Sequence, residues 1–575
     1  MGEMTADLVL KNGKVYSVAL DGTVTRGQAV AVCGGKIAAV GSNEEVEGYI
    51  GENTRIVDAG GNTILPGFCD GHVHASYSSS ALFACNLFMP PPEKGGRRAL
   101  VEAYQKALTA YMEQHPEDPI IRGAGWNLGY FGPNVQDWPT RADLDAICPD
   151  KPMVLESFCQ HHSWINSRAL ELAGITKDTP TPRNGSIFRD AEGEPTGLFS
   201  EFSAINLVKL GIPGCDFSVE EYKNTLRIYQ RDLANHYGVT LIFDALCSEN
   251  AREAYKELAR DGELTLRVRG NYYAESSLPP AQFREMAARK GSDDIGDLYQ
   301  VNTVKFFMEG SANGFYMGEP FEAAYLQSAG LPEGYRGFAF WTKEELEQAF
   351  AYLMEEGFQI HTHAMGDESV TVTLDGYEYA AEATGKDTRN VVAHLMLVKE
   401  RDMERMGRLR TIGCVQPTWM FREPMMDPIY EFQFGRKRKE QLYPYRRLVE
   451  AGAVVSMGTD FPVTPPPDPF VELESAVTRS IPRMFPGHAQ FKDLVAGPES
   501  DPAQDCVDLA EAVKGLTICG AYQNFAEDVT GSIEVGKSAE LVLIDRDLEA
   551  SAAEDIHDTH VLMTVFKGKV VYERS

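Results

Sequence analysis

Short apolar segments alternate with amphipathic segments along most of the chain. The pattern predicts eight strands, each bounded by turn residues and followed by a helical segment. The predicted strands are Ile64–His74, Val239–Ala245, Leu266–Tyr272, Thr303–Met308, Gln359–Met365, Val391–Leu397, Thr411–Pro417 and Val454–Asp460. This alternation is typical of βα units around a parallel sheet, and the strand number is that of a closed (β/α)8 TIM barrel.

Both ends of the chain have a different pattern. Residues 8–58 alternate as short strands separated by Asn-Gly and Gly-Gly turns, and residues 540–544 and 563–572 have the same character. Each end is too small to bury a core alone. We therefore predict a small β-sandwich domain built from both chain ends, residues 1–62 and 528–575, around a barrel of residues 63–527.

The gap between the first two predicted barrel strands is too long for a single crossover. It contains two more strand candidates, at residues 119–126 and 152–158, together with amphipathic helical segments. We predict an insertion after the first barrel strand, at about residues 83–234, that lies over the barrel mouth. Trp126 and His162 of the insertion, and Gln416 at the seventh strand end, are candidate substrate-binding residues. A packed structural role is the alternative for each.

Composition narrows the classes of partner. The 575 residues carry a formal charge of −30 without a long basic run, which argues against nucleic acid as a partner. No apolar run reaches the ~18 residues of a membrane span, and the N-terminus has no apolar leader. Ten cysteines lack CxxC spacing, as in reduced proteins. We expect a cytoplasmic protein that acts on a small molecule.

The first candidate metal-binding motif is Asp70-Gly71-His72-Val73-His74, at the end of the first predicted strand. Residues two apart in a strand face the same side, so His72 and His74 can present both imidazoles to one metal ion. A pair of nearby surface histidines is the alternative.

Three further residues fall at other predicted strand ends. His363 ends the fifth strand, His394 lies in the sixth, and Asp460 ends the eighth. Functional residues of such barrels gather at the carboxyl ends of the strands. We therefore expect these side chains to meet on one rim with His72 and His74, although each could instead be a hydrogen-bonded core residue.

The fourth strand contains a lysine among apolar residues, in Val304-Lys305-Phe306-Phe307-Met308-Glu309. A buried, unpaired ammonium group is costly. Carboxylation by carbon dioxide would turn the amine of Lys305 into a carbamate that can bridge two metals. Glu309 is the competing fourth-strand ligand and a candidate pocket residue, and a structural lysine is the third interpretation.

These residues resemble the amidohydrolase superfamily, and within it the branch of the N-substituted formamide deformylases and exoenzyme-regulatory-type hydrolases. The resemblance covers nearly the whole chain. It is carried by residues 6–13, 65–74 and 531–541, and at branch level by residues 363–367, 416–417, 162–167 and 193–197. The chain departs from the family pattern at Glu309, where the family usually has aspartate, and at Ala393, where an acidic residue is common.

The resemblance implies one or two divalent metal ions, with zinc expected. His72, His74 and Asp460 would bind one ion, His363 and His394 the second, and carboxylated Lys305 would bridge them. The implied function is hydrolysis of a C–N bond in a small amide or N-substituted formamide through a metal-activated hydroxide, with Asp460 as general base. A deaminase or another hydrolase of the superfamily is the alternative, and a non-catalytic binding protein on the same fold is a third. A homo-oligomer is a family-level expectation.

Overall fold

An eight-stranded parallel sheet forms the centre of the computed structural model, which describes residues 5–132, 134–310, 314–424, 426–464, 466–485, 488–491, 494–498, 500–501 and 503–575. The strands pair in chain order: β1 (Phe68–Val73), β2 (Val239–Asp244), β3 (Arg267–Tyr273), β4 (Tyr299–Phe307), β5 (Gln359–Ala364), β6 (Val391–His394), β7 (Ile412–Val415) and β8 (Val454–Met457). This order confirms the predicted (β/α)8 barrel.

Backbone bonds just beyond β1 and β8 join the two edges of this sheet. The amide of Asp460 donates to the carbonyl of His72, and the amide of His74 donates to the carbonyl of Phe461, each at 2.8 Å. Gly458 lies against β1, where a Cβ would be 2.7 Å from the Cβ of His72. The absence of a side chain at residue 458 therefore lets the last strand approach the first.

Helices connect the barrel strands and cover them. One example is Lys343–Glu355, which begins after Thr342 in a capping box with Glu345 and buries Leu346, Phe350 and Leu353. The others are Glu249–Arg260, Ala281–Arg289, Ala323–Ser328, Asp367–Thr384, Glu400–Leu409, Met426–Phe434, Arg436–Lys439, Tyr445–Glu450, Pro469–Thr478, His488–Phe491, Leu509–Leu516 and Ile518–Gln523.

Two further sheets enclose a core that both chain ends supply. The four-stranded sheet contains N-terminal strands alone, and the six-stranded sheet combines strands from both ends. Their strands are Lys36–Gly41, Ala29–Cys33, Leu8–Lys11 and Arg55–Asp58 in one, and Lys569–Glu573, Val561–Phe566, Leu541–Ile544, Thr63–Pro66, Lys14–Val18 and Val24–Gly27 in the other. A buried ion pair between Arg267 of β3 and Glu540 ties this domain to the barrel. The domain limits given above remain predictions.

The first predicted strand, residues 64–74, is two strands in the structure. Thr63–Pro66 pairs with Leu541–Ile544 of the terminal sheet, whereas β1 pairs with β2 of the barrel. Gly67 lies between them, and a Cβ there would be 2.7 Å from a methyl carbon of Thr240. The chain thus passes from one domain to the other at a residue without a side chain, which a continuous apolar pattern does not reveal.

The segment between β1 and β2 forms a separate six-stranded sheet with its own core. Its strands are Cys85–Asn86, Ile121–Trp126, Met153–Ser157, His162–Ile165, Ser186–Arg189 and Pro195–Ser200, and its main helices are Gly96–Gln114, Arg141–Asp145, Ser167–Leu172, Phe202–Gly211 and Val219–Ile228. Over the described ranges, no helix combines the length and apolarity needed to span a bilayer.

We expect Gly458→Ala to destabilise the closure of the barrel. The added Cβ would contact both the backbone nitrogen and the Cβ of His72, and overpacking of this kind costs about 1–3 kcal/mol. Thermal unfolding should give a lower Tm than that of the wild type. Gly48→Ala is the matched control, because Gly48 has a right-handed backbone with φ −63° and open space where its Cβ would lie. Equal Tm values for the two variants would contradict the close approach of β8 to β1.

Candidate metal centre

Two histidines from the end of β1 and an aspartate from the end of β8 converge at the carboxyl end of the barrel. Nε2 of His72 lies 3.4 Å from Oδ1 of Asp460, and Nε2 of His74 lies 3.1 Å from the same oxygen. All three side chains are buried, and one potential ligand atom from each lies within 4.8 Å of the others. The three residues together can hold a metal ion.

The backbone at Asp460 is strained and firmly held. Its φ is +56°, a left-handed conformation that non-glycine residues seldom adopt and that often marks a functional site. The preceding Thr459 donates from its amide and hydroxyl to Asp70, at 3.0 and 2.6 Å. Burial alone would raise the pKa of Asp460, but a hydrogen bond and the charge of His74 outweigh it and lower the pKa. Asp460 is therefore an ionised acceptor at neutral pH.

Lys305 of β4 reaches the same group of side chains. It is 0% exposed, and its Nζ lies 3.5 Å from Nε2 of His72 and 4.9 Å from the ring centre of Phe307. Burial lowers the pKa of Lys305 to about 7. A large share of the amine is therefore uncharged at neutral pH, which is the form that reacts with electrophiles.

Glu309, our alternative fourth-strand ligand and pocket residue, points elsewhere. Its carboxylate accepts hydrogen bonds from the backbone amides of Met365, Gly366 (2.9 Å) and Tyr316, and the residue is 0% exposed. The two-residue alternation that placed Glu309 beside Lys305 ends with β4 at Phe307. Glu309 thus accepts hydrogen bonds from the loop after β5, and its role as a ligand or substrate contact stays a prediction.

His363 of β5 and His394 of β6 belong to the same group of side chains. The ring centres of His363 and His394 are 4.5 Å apart, and that of His394 is 4.8 Å from His72. Burial lowers the pKa of His363 well below its usual range and that of His394 to about 4. Both imidazoles are therefore uncharged, with a lone pair free for a ligand.

This donor set fits a divalent transition metal. Imidazole nitrogens and a carboxylate oxygen are the ligands that zinc and similar ions prefer. Nε2 of His363 is buried and makes no hydrogen bond within the described part of the chain. A buried polar atom without a partner is costly unless a ligand completes it. All six predicted ligands, His72, His74, Lys305, His363, His394 and Asp460, are placed around the same end of the barrel.

A second layer of residues orients these ligands. Nε2 of His361 lies 2.9 Å from Nδ1 of His72, and His361 itself stacks on Phe243 at 4.5 Å. Gln416 Oε1 lies 2.8 Å from Nδ1 of His394, and the ring of Trp419 stacks on that of His394 with 5.4 Å between ring centres. Partners of this kind fix the tautomer and ring orientation of ligating histidines.

Two candidate pocket residues have other roles in the structure. Trp126 is 0% exposed, donates to the carbonyl of Leu155 at 3.0 Å and packs on Trp164 in the core of the inserted sheet. Gln416 is also 0% exposed and acts on the centre through His394. Trp126 thus has a partner within the protein, whereas Nε2 of Gln416 is buried and makes no hydrogen bond to the described residues. Substrate contact by either residue stays a prediction.

Of the adjacent histidines at the start of the inserted hairpin, sequence reasoning selected His162. Nδ1 of His162 lies 3.7 Å from Sγ of Cys159, and its ring packs edge-on to Trp126. The neighbouring His161 is the one whose charge interacts with Asp460 and His363. Its Nδ1 lies 2.7 Å from Oε2 of Glu201, which raises the pKa of His161 despite the opposing effect of burial. In the sequence, only the adjacent pair His161-His162 indicates that His161 is also a candidate.

Comparison with known proteins places this chain in a family. The sequence profile of the amidohydrolase family matches residues 55–572. The chain belongs to the amidohydrolase family. It is therefore a metal-dependent hydrolase that acts on carbon–nitrogen bonds.

Similar amidohydrolases extend over the full length of the chain. An N-substituted formamide deformylase of Arthrobacter pascens is 25% identical over 99% of both chains, and the putative amidohydrolase YtcJ of Bacillus subtilis is 26% identical over 98% of this chain and 99% of its own. An uncharacterised metal-dependent hydrolase of Pyrococcus horikoshii has the same fold, with a TM-score of 0.71, 24% identity, and coverage of 95% of this chain and 99% of that one.

We expect His72→Ala and His363→Ala each to lower metal content while the protein stays folded. Each change removes a nitrogen from the donor set at a strand end, where side chains serve function more than packing. Metal affinity should fall by at least about 10-fold. Elemental analysis of the purified variants after dialysis gives the metal per chain.

The matched control is His236→Ala, because His236 is exposed and far along the chain from every predicted ligand. Wild-type metal content in both His72→Ala and His363→Ala would reject the ligand assignment. A loss of metal in His236→Ala as well would show that the assay reports stability instead.

Proposed function

We propose that this amidohydrolase cleaves the C–N bond of a small amide, and that N-substituted formamides are its preferred substrates. The observation that carries the proposal is the convergence of His72, His74, Asp460 and Lys305 at the barrel end. The substrate class is supported by the formamide deformylase that matches the chain from end to end. A formyl group has no carbon substituent, so such a substrate needs space only on its amine side.

The metal is proposed to be zinc, as one or two ions. His72, His74 and Asp460 would hold the first ion, and His363 and His394 the second. When bound, the metal supplies Lewis acidity and lowers the pKa of water. The uncharged amine of Lys305 would add to carbon dioxide, forming an N–C bond and releasing one proton. The resulting carbamate has two oxygens and would bridge the two sites.

Asp460 is proposed as the general base. Its carboxylate is ionised, buried and held by the joint between β1 and β8, so it can take a proton from the attacking water. The water oxygen bonds to the carbonyl carbon, the C–N bond breaks, and Asp460 returns the proton to the departing nitrogen. The products are a carboxylic acid and an amine, and formate in the case of a formamide.

The cellular setting is also a proposal. All ten cysteines are free thiols, and seven of them are buried, which fits a reducing compartment such as the cytoplasm. A homo-oligomer that acts on a small molecule is proposed from the family resemblance.

A screen of N-formyl and N-acyl amines tests the function. We expect the metal-loaded enzyme to release formate and amine in equal amounts, and a chelator to abolish turnover. Release of ammonia from an amino-heterocycle, without turnover of any amide, would favour a deaminase instead. Full activity of the metal-free protein would contradict both.

We expect Asp460→Asn to lower kcat by at least about 100-fold, as is typical when acid–base catalysis is lost. The asparagine keeps the volume and one oxygen but cannot accept the proton. The measurement is kcat at metal occupancy matched to the wild type, with the exposed Asp528→Asn as control. Near-wild-type turnover at matched occupancy would transfer the role of base to another group.

The carbamate on Lys305 has its own test. We expect Lys305→Ala to lose activity by more than about 10-fold and to regain part of it with added acetate or propionate. A small carboxylate can enter the space left by the side chain and present two oxygens. Lys305→Met fills that space and should not respond. Equal responses of the two variants, or none in either, would argue for a structural lysine.

A further inference from the structure

A cavity of about 840 Å³ lies between the inserted domain and the ends of β1, β2 and β3. It adjoins the metal centre at two points. Tyr77 in its wall lies 5.9 Å, between ring centres, from His74. Phe202 in its wall contacts His161 at 5.5 Å and Phe307 at 4.9 Å, and Phe307 lies 5.1 Å from His363. The cavity therefore lies beside the metal centre, with the rings of Tyr77, Phe202 and Phe307 between the two.

The wall is rich in aromatic and aliphatic groups but carries an excess of negative charge. Its charged lining residues are two cations, Arg122 and Lys209, and four acids, Glu156, Asp216, Glu249 and Glu275. Both cations already have carboxylate partners. Lys209 pairs with Glu156, and Arg122 pairs at 2.8 Å with Glu221.

Glu275 is the buried member of this set. It is 5% exposed and lies two residues beyond the end of β3, on the side of the cavity nearest the barrel. Its oxygens accept from Oγ of Ser203 at 2.8 Å, Nδ2 of Asn206 at 2.9 Å, and the amide and hydroxyl of Ser277 at 3.3 Å. All these donors are neutral.

Within the described part of the chain, no lysine, arginine or histidine nitrogen lies within 4 Å of Glu275, whereas other buried acids such as Asp293 have such partners. Neutral donors replace part of the lost hydration of a buried carboxylate, and a cation replaces more of it. The rings of Phe202 and Tyr273 lie in the same wall, and an aromatic ring can contact a cation. The ring of Tyr77 already has Nζ of Lys209 at 5.6 Å from its centre.

We propose that this cavity binds the amine portion of the substrate and that Glu275 is the counter-ion for a second, positively charged nitrogen on it. The substrate class is then an N-acylated or N-formylated diamine, with an apolar spacer between the reacting nitrogen and the ammonium group. The inference rests on the proposed function, because a formyl group needs no pocket of its own and leaves this cavity to the amine.

Two substrates that differ only in charge test the assignment. N-formyl-1,6-diaminohexane carries a terminal ammonium, and N-formylheptylamine replaces it with a methyl group. We expect wild-type kcat/KM to favour the ammonium substrate by at least about 10-fold, the effect of a desolvated charge pair. Glu275→Gln should remove this preference, so that kcat/KM becomes similar for the two substrates.

Glu249→Gln is the matched control, because Glu249 also lines the cavity but has a side chain 74% exposed and pairs with Arg289. It should keep the preference of the wild type. If both variants lose the preference equally, the preference comes from the overall negative charge of the cavity. That result would overturn the role of Glu275. Absence of any preference in the wild type would overturn the proposal without requiring a variant.

Binding of 1,6-diaminohexane, which has no bond to cleave, separates this inference from the proposed function. Isothermal titration calorimetry with the metal-loaded enzyme should show binding that weakens at least about 10-fold in Glu275→Gln. If diamine binds in this way but no formamide is hydrolysed, the cavity assignment stands and the proposed reaction fails. If formamides are hydrolysed but the diamine does not bind, the reaction stands and the cavity assignment fails.

Discussion

Burial of nitrogen bases around a single carboxylate is the constraint on which this structure depends. Removal from water disfavours the charged form of an imidazole or an amine. His72, His363 and Lys305 all have lowered pKa values for this reason, while Asp460 in their midst remains ionised. The barrel end therefore offers several uncharged nitrogens and one anion, which is the arrangement that a divalent cation completes.

Neighbouring buried residues hold these side chains in position. His361 holds His72, Gln416 holds His394, and Asp70 holds the loop that presents Asp460. The supporting residues are themselves buried, so their hydrogen bonds are not in competition with water. The strained backbone at Asp460 persists because backbone hydrogen bonds between the ends of β1 and β8 hold it in place.

The barrel and the inserted domain contribute different parts of the site. The barrel strands supply every predicted ligand, whereas the insertion supplies most of the wall of the large cavity and brings His161 and Glu201 towards the centre. When the reacting residues lie at rigid strand ends and the substrate-binding residues lie in an added domain, changes in that domain can alter the substrate without altering the reaction. This explains why the resemblance is informative about the reaction and much less so about the substrate.

The sequence by itself determined the barrel, the terminal domain to which both chain ends contribute, and the strand ends at which the six predicted ligands lie, because parallel strands end on a common rim. Tertiary structure decided the rest. Glu309 turns away because β4 ends before it, and Trp126 faces the core of a sheet whose path the sequence did not show. Which of His161 and His162 faces the centre depends on how the inserted hairpin docks on the barrel, and that is set by contacts between residues far apart in the chain.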